Sequence, residues 1–540
     1  MARGRRRRRR FGRPRLTATV GATVLAAAIS ALKVILFALG SGAFLAEHPA
    51  SALAWVYLVL AVLAAGTAVA VLSRLERSDP ASALAVLLGT TAAAVPVAAL
   101  ALHFGLAWAP SVLLVLAHLY NIASEILLWL VAAAWMPAPE LRRATLWICL
   151  ATALGGLGGG LGAERLLILG TPPALIIGTL ATAALTGLWL HASRRALGEA
   201  ATGAEEEPGP GPPAATGWGP VLSHPLAMPL GVGSFMLTFV WVLTEFVCLA
   251  SYQALALEPD ALSQLLAVVY ASLQLVEFAA ILVLAGPATR WVSPAWRSVL
   301  FPAGSLLSLI WMAREPGSLA PALLAHAHTE SVSNGLFDPV HASNFAAAPL
   351  RLQAKLRTLA DGICYPFGMA AGGAALLLGG AGAAGPPMQE SMMATTLVAA
   401  CLFVAVGTLT GVMVTPSLLN ALGLTTEAAP RPPRAVLRAA RRALRPWIRR
   451  SRLRDRLLAR RCHAADLAVI RRRVDLADRR ALRAVFRQTR LCDPGRTMRQ
   501  LELLLDSRTP ETRALAVEAL LSLPVRRLFL PFLPALRRRC

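Results

Sequence analysis

The stretch Thr17–Glu47 reads TATVGATVLAAAISALKVILFALGSGAFLAE, and Lys33 is its one charged residue before the terminal glutamate. A helix needs about 20 predominantly apolar residues to cross the hydrocarbon core of a bilayer, and this run exceeds that length. Comparable stretches begin near twelve positions: Thr17, Ser51, Ser82, Pro110, Thr145 and Pro173, then Pro225, Leu262, Ala295, Ser318, Asp361 and Met392. The sequence therefore predicts an all-α, polytopic membrane protein with twelve transmembrane helices in two six-helix bundles.

Composition excludes the common soluble classes. The 540 residues are 56% hydrophobic and 15% charged, whereas soluble domains are about 25% charged. The seven cysteines are scattered, which argues against a disulfide scaffold. Phosphate-loop, nucleophile-elbow and metalloprotease signatures are all missing from the sequence. We therefore expect no enzymatic activity and no cofactor.

The net charge of +24 is concentrated at the two ends of the chain, with nine Arg in Met1–Arg15 and 30 in Thr425–Cys540. A Glu-, Pro- and Gly-rich run, Glu205–Pro213, separates the two groups of apolar stretches and is typical of a linker. We predict five regions: a cytoplasmic polybasic tail (1–16), a first six-helix bundle (17–193), a linker (194–222), a second bundle (223–424), and an Arg-rich cytosolic helical domain (425–540).

Loop charges predict the orientation. Alternate connections carry basic residues, namely Arg74 and Arg77, Arg142 and Arg143, Arg194 and Arg195, Arg290 and Arg297, and Arg351, Lys355 and Arg357. Cytoplasmic loops are those enriched in Lys and Arg, so both termini are expected in the cytoplasm and the protein in the cell (inner) membrane. The basic termini favour anionic membrane lipid as a partner. The N-terminal run has no interleaved aromatic residue beyond Phe11, and Arg makes up 51 of the 53 basic residues of the whole chain, so nucleic acid is an unfavoured partner.

Four charged residues fall at bilayer depth: Lys33, Glu125, Glu245 and Glu277. Charges there are costly and commonly face a pathway for a solute or an ion. A lysine and several glutamates around a shared cavity could bind a charged solute or carry a coupling proton. Two other interpretations stay open, a lysine that reaches towards the interface and an ion pair that only joins helices.

The tenth apolar stretch is unusually polar. It contains His326, His328 and Glu330, followed by Asp338, which we include among the candidate residues for substrate binding or coupling. A metal site on the His326 and Glu330 face of a helix is conceivable, but the spacing is weak evidence. A broken helix that lines an aqueous cavity accounts for the same polarity, so we predict no metal.

The run Gly155–Gly162 resembles a phosphate loop only superficially, because no Lys-Ser or Lys-Thr follows it. Close helix packing through small residues four apart explains it better. The predicted packing pairs are Gly155 with Gly159 and Gly158 with Gly162.

Several of these features together resemble the ATP/ADP-translocase-like (nucleotide transporter) branch of the major facilitator superfamily. They are Arg142-Arg143 before the Gly155–Gly162 run, Phe337-Asp338, Pro349-Leu350, the basic loop Arg351–Lys355 and Asp361-Gly362. The resemblance covers about 28–415 and implies alternating-access transport, with Lys33 and Glu245 at family positions for a basic and an acidic residue. The spacing of Asp506, Pro510, Arg513, Ala514, Ala516 and Ala519 resembles a HEAT repeat, which some bacterial relatives carry as a cytosolic extension.

The chain departs from that branch where the family carries further basic residues, since it has Leu36-Phe37, Leu249 and Met369 there. A triphosphate needs several cations to replace its hydration, which argues against ATP/ADP exchange. The predicted function is therefore transport of an unknown small-molecule solute, for which an anion is one candidate. The alternative is a membrane anchor or sensor without transport activity, whose helical tail binds a cytosolic protein partner.

Overall fold

The computed structural model describes residues 2–75, 79–136, 138–201, 218–255, 259–285, 294–345, 350–380 and 386–421, with isolated residues at 292 and 347–348 and short pieces between 482 and 529. Within these ranges a further set of side chains, including those of 2–17, lies outside the description. The described residues form helices and connecting turns, without a strand. Helices satisfy every backbone N–H and C=O within one segment, which is what a lipid environment demands.

Six long helices make up the first half. They are α1 (Ala2–Glu47), α2 (Leu53–Leu75), α3 (Pro80–His103), α4 (Ala109–Trp135), α5 (Ala138–Leu166) and α6 (Thr171–Ala201). Their apolar spans begin at Ala18, Ala50, Pro80, Ala109, Ala144 and Thr171, each within two residues of the predicted start. Length and hydrophobicity alone were thus sufficient to place these helices.

Six further helices form the second half. They are α7 (Ala227–Leu255), α8 (Pro259–Ala280, continued by a π-helical turn Ile281–Ala285), α9 (Pro294–Arg314), α10 (319–345), α11 (350–380) and α12 (Pro386–Ala421). Among the described residues, ten helices are long and apolar enough to cross a membrane, and α9 and α10 are the two long helices outside that set. The twelve-helix, all-α architecture is therefore confirmed, and the chain is a multi-pass membrane protein.

Helix α10 differs from the broken helix that its polarity predicted. It consists of Leu319–Ala327, a π-helical segment His328–Phe337 and Asp338–Phe345, so the backbone stays helical throughout. A π-helix widens the turn from i→i+4 to i→i+5, which changes the direction of the side chains that follow, and such segments are frequent at functional sites. Helix α11 has the same form, with the π-helical segment Thr358–Cys364 between Leu350–Arg357 and Tyr365–Gly380.

The glycine run of α5 packs against α1, as predicted for one of its two pairs. A Cβ atom added at Gly155 or Gly159 would collide with the backbone carbonyl oxygen of Ala27 or Ala31 on α1. The predicted pair Gly158 and Gly162 is wrong, because nothing lies within 4 Å of either position.

The second packing pair is instead Gly156 and Gly160, which face α8 in the other half. A Cβ at Gly156 would collide with the Gln274 side chain, and one at Gly160 would lie 2.8 Å from the Ala271 Cβ. Two adjacent glycine stripes thus let α5 approach α1 and α8 at once, since small residues permit close contact between helix backbones.

Helix α11 repeats this arrangement in the second half. A Cβ at Gly368 would collide with the Phe235 carbonyl on α7, and one at Gly372 would lie 2.8 Å from Val242 of the same helix. A Cβ at Gly373 would lie 3.0 Å from the Ala54 carbonyl oxygen on α2. Helix α11 corresponds to α5, because it follows α5 by six helices. The contact of α5 with α8 and the equivalent contact of α11 with α2 therefore both join the two bundles.

The tail is described only in part. Helix α13 (Thr497–Leu505) buries Leu501 and Leu505, and Arg513 Nη1 donates a 2.6 Å hydrogen bond to the carbonyl oxygen of Ser507. Most of the predicted region 425–540, including Pro510 and Ala514, lies outside the described residues, as do 202–217 of the predicted linker. The HEAT-like assignment therefore stays a prediction.

Candidate functional site

Four of the five predicted site residues come together between the two halves. The charges of Lys33 (α1), Glu125 (α4) and Glu330 (α10) all act on the carboxylate of Glu277 (α8). The charge of Glu330 also acts on Glu245 (α7). We call Lys33, Glu125, Glu245, Glu277 and Glu330 the central cluster. The fifth predicted residue, Asp338, belongs to α10, but its side chain lies outside the described residues.

Glu245 is buried, with 3% of its surface exposed, and is bonded across the two halves. Its Oε2 accepts a 2.7 Å hydrogen bond from the Tyr57 hydroxyl on α2. A buried carboxylate is costly unless hydrogen bonds compensate the lost hydration. The sequence identified the carboxylate but could not identify Tyr57, because a tyrosine in an apolar helix is ordinarily a packing residue.

Glu277 is equally buried, with 3% of its surface exposed. Its Oε2 accepts a 3.1 Å hydrogen bond from Nδ2 of Asn334, which belongs to the π-helical segment of α10. The widened turn of that segment therefore supplies the amide partner of a buried carboxylate on a neighbouring helix.

Glu330 interacts with residues on several helices of the central cluster, and it was not among the predicted site residues. Its Oε2 accepts a 2.8 Å hydrogen bond from Trp241 Nε1 on α7. Its charge acts on Glu245, Glu277 and His118, which lie on three different helices. The polar character of the tenth stretch was the available signal, but helical spacing suggested Glu330 only as a metal ligand.

The residues of the conceivable metal site diverge. His326 is buried beside the Tyr252 hydroxyl, which lies 3.3 Å from Nδ1, while His328 stacks on Phe301 of α9 and its Nε2 lies 3.0 Å from the Phe301 carbonyl oxygen. Glu330 faces Trp241 instead. Across the described part of the chain, no group of three His, Cys, Asp or Glu residues could hold a metal ion.

An aromatic group borders the central cluster. His118 of α4 makes ring contacts with Phe37, Tyr57 and Trp241 at centroid distances of 4.7, 6.1 and 5.7 Å. Its ring is 2% exposed, and Nε2 has no hydrogen-bond partner among the described residues. A buried polar atom in this state is uncommon in native proteins and marks a place where a water or ligand could bond.

A second polar group lies at the end of the bundle where the Arg-containing loops are, the Arg-rich end. The Oδ1 of Asp361 (α11) accepts a 3.2 Å hydrogen bond from the Ser234 hydroxyl (α7) and lies 3.2 Å from His341 Nε2 (α10). His341 also lines a cavity within the second bundle, together with the buried Arg297. This group is separate from the central cluster and lies within one half.

The opposite end, which we call the Arg-poor end, is closed by Gln253 of α7. Its Nε2 donates to the carbonyl oxygens of Leu45 (2.7 Å) and His48 (2.9 Å), and its Oε1 accepts from the Ala50 N–H (3.0 Å). One side chain of the second half thus satisfies three backbone groups at the turn between α1 and α2 of the first half. These bonds hold the two halves together at this end.

Replacing Gln253 with Leu is expected to open the Arg-poor end. Three hydrogen bonds are lost, each contributing about 1 kcal/mol net, so the closed state should lose at least about tenfold in population. The rate at which a membrane-impermeant maleimide labels a Ser41→Cys variant, in a background without the native cysteines, measures the opening. Ser41 is 1% exposed in this closed arrangement.

The matched control is Gln353→Leu, because Gln353 Nε2 donates to a carbonyl oxygen of its own half, that of Ala348 at 2.9 Å. Its labelling rate should equal that of the parent. Equal rates for the Gln253→Leu variant and this control would contradict the assignment of Gln253 as the closure.

Comparison with known proteins finds similar solved structures but no matching family. No family model matches the chain, and no curated protein matches it. Among solved structures, a point mutant of the nucleoside transporter NupG aligns over 73% of this chain and 99% of its own, with 13% identity and a TM-score of 0.53. A bacterial homolog of the human lysosomal transporter Spinster, inward-facing and unoccupied, aligns over 75% and 98% with 14% identity and a TM-score of 0.45.

The fold assignment rests on the first of these two structures. At 13% identity and a TM-score of 0.53, this likeness shows the fold alone. The narrower resemblance to ATP/ADP translocases finds no counterpart among these matches and stays a prediction. The chain is a multi-pass membrane protein that shares its fold with the nucleoside transporter NupG.

Proposed function

We propose that this protein is a secondary transporter that moves a small solute by alternating access, with the central cluster as its solute and coupling site. The observation that carries the proposal is a set of three carboxylates, on α7, α8 and α10, each of which accepts a hydrogen bond from another helix. Lys33 of α1 and Glu125 of α4 lie close enough for their charges to act on one of them, Glu277. Intramembrane charges are costly and are retained where they serve a pathway. The closure by Gln253 at one end supports a cluster that opens to one side at a time.

Within this proposal Lys33 contacts the solute, while Glu125, Glu245 and Glu277 serve ion coupling or gating. The hydrogen bond from Tyr57 to Glu245 joins the two halves, so a change in the protonation of Glu245 would alter their attachment. Asp338 is kept in the proposed set on the sequence evidence alone. The cell (inner) membrane, with both termini in the cytoplasm, is proposed from the loop charges.

Uptake into proteoliposomes tests the function. A panel of radiolabelled small solutes is offered to the wild-type protein, Lys33→Ala, Glu245→Gln and the control Glu315→Gln, whose carboxylate is exposed in the turn after α9. We expect at least tenfold slower uptake for the first two variants and unchanged uptake for the control. Equal flux in all four would remove the proposed roles.

The HEAT-like tail and its protein partner remain the second proposal for the chain. The Arg513 hydrogen bond to the Ser507 carbonyl across the turn after α13 supports a repeat-like unit. Absence of solute flux in the wild-type protein, together with a partner bound through 425–540 of the full chain, would favour the anchor or sensor over the transporter.

A further inference from the structure

The central cluster has more negative than positive groups. Within the described residues it contains four carboxylates, Glu125, Glu245, Glu277 and Glu330, and a single amine, Lys33. The charge of Lys33 acts on Glu277, and the two less buried carboxylates, Glu125 and Glu330, by themselves outnumber this one amine. An anionic solute would add a further negative charge to this surplus, at bilayer depth where screening by water is weak. The charge balance therefore favours a cation.

The carboxylates differ in how far a solute can reach them. Glu245 and Glu277 are 3% exposed, whereas Lys33 and Glu330 are half-buried and Glu125 is exposed. The hydrogen bond from Trp241 to Glu330 uses one N–H, and an ionised carboxylate offers about four acceptor positions. Glu330 can therefore attract a cationic group, with or without N–H donors, while it keeps its partner.

Aromatic rings lie beside that carboxylate. Trp241, which donates to Glu330, is half-buried and stands 6.1 Å from Tyr57 and 5.7 Å from His118, measured between ring centroids. Aromatic faces attract cations, and groups of aromatic rings recognise quaternary ammonium ligands. The Nε2 of the buried His118, which has no hydrogen-bond partner among the described residues, adds a polar atom beside these rings.

We infer that the solute of this transporter is an organic cation with an apolar or aromatic body, whose charged group binds at Glu330 and against Trp241. This inference rests on the proposed function and specifies its substrate class. For a cationic solute the role of Lys33 changes from the solute contact proposed above to the internal counter-ion of Glu277. A cation arriving at Glu330 then competes with Lys33 for the shared negative charge. The anionic solute implied by the family resemblance does not fit this charge balance.

Three probes with the same ring and different charge test the inference: benzyltrimethylammonium, benzamide and phenylacetate. Binding to the purified full-length protein in nanodiscs is measured by isothermal titration calorimetry. We expect benzyltrimethylammonium to bind at least tenfold more tightly than the other two. The Glu330→Gln variant should lose at least tenfold of that affinity, Glu330→Asp should retain most of it, and the control Glu315→Gln should match the wild type.

Equal or tighter binding of phenylacetate or benzamide would overturn the inference. So would the absence of binding by all three probes, or a folded Glu330→Gln variant with wild-type affinity. The outcome is distinguishable from failure of the proposed function. If an anion is taken up and closure depends on Gln253, the protein is a transporter and only the inferred substrate class is wrong. If a cation binds but no solute is transported, the inferred binding site is correct and the proposed transport function is wrong.

Discussion

Replacing Gly155 with Ala is expected to remove most of the folded protein. The added Cβ would collide with the Ala27 carbonyl oxygen, a backbone atom that cannot rotate away, so α5 and α1 must separate. Overpacking costs about 1–3 kcal/mol even where side chains can yield, and here a helix pair at the centre of the first half must shift. We expect a loss of about 3 kcal/mol or more in the free energy of unfolding.

Size-exclusion chromatography and thermal unfolding in detergent measure this loss, as a lower yield of the monodisperse species and a lower midpoint temperature. Gly158→Ala is the matched control, because the same substitution three residues along the same helix meets no atom within 4 Å. It should be neutral or slightly stabilising, since Ala is favoured over Gly within helices by about 1 kcal/mol. Equal behaviour of the two variants would contradict the packing of α5 against α1.

Replacing Lys33 with Met is the second change with a large expected effect. It removes the amine that acts on Glu277 and leaves the carboxylates of the central cluster without their cation. Breaking a fully buried pair costs about 3–5 kcal/mol, and because Lys33 is half-buried, we expect about 2 kcal/mol here. Transport should be lost as well, since Lys33 belongs to the proposed solute and coupling site.

The double variant Lys33→Met with Glu277→Gln separates the two effects. It should regain most of the thermal stability, because the uncompensated carboxylate is gone, but it should not regain uptake. Lys355→Met is the control, since Lys355 is the other lysine of the chain and lies at the Arg-rich end over the Trp218 ring. A double variant no more stable than Lys33→Met alone would contradict the electrostatic pairing.

The candidate site illustrates how far a sequence pattern reaches. Lys33, Glu125, Glu245 and Glu277 could be selected because a charge within an apolar stretch is conspicuous and costly. Glu330 lies in a polar stretch, where a further carboxylate does not stand out. His326 was grouped with Glu330 because positions four apart share a face of an α-helix. The π-helical segment begins between them, at His328, and the two side chains meet different partners, Tyr252 and Trp241.

The packing of α5 shows the same limit. Spacing of four residues predicted that small residues would allow close contact, and Gly155 and Gly159 confirm it. The same spacing also selected Gly158 and Gly162, whereas the structure uses Gly156 and Gly160. Every glycine of the run 155–162 has another glycine four positions away, so the choice of face depends on where the neighbouring helices lie.

The sequence by itself determined two sets of six helices in a membrane protein, because length and hydrophobicity are local properties of consecutive residues. Ten helices among the described residues are long and apolar enough to cross a membrane. Only the tertiary structure decided which side chains meet. Tyr57 and Glu245 are 188 positions apart in the chain, and Gln253 binds a turn of the opposite half. Such pairs depend on how twelve helices rotate about their axes and pack, and a pattern within one helix carries no information about its neighbours.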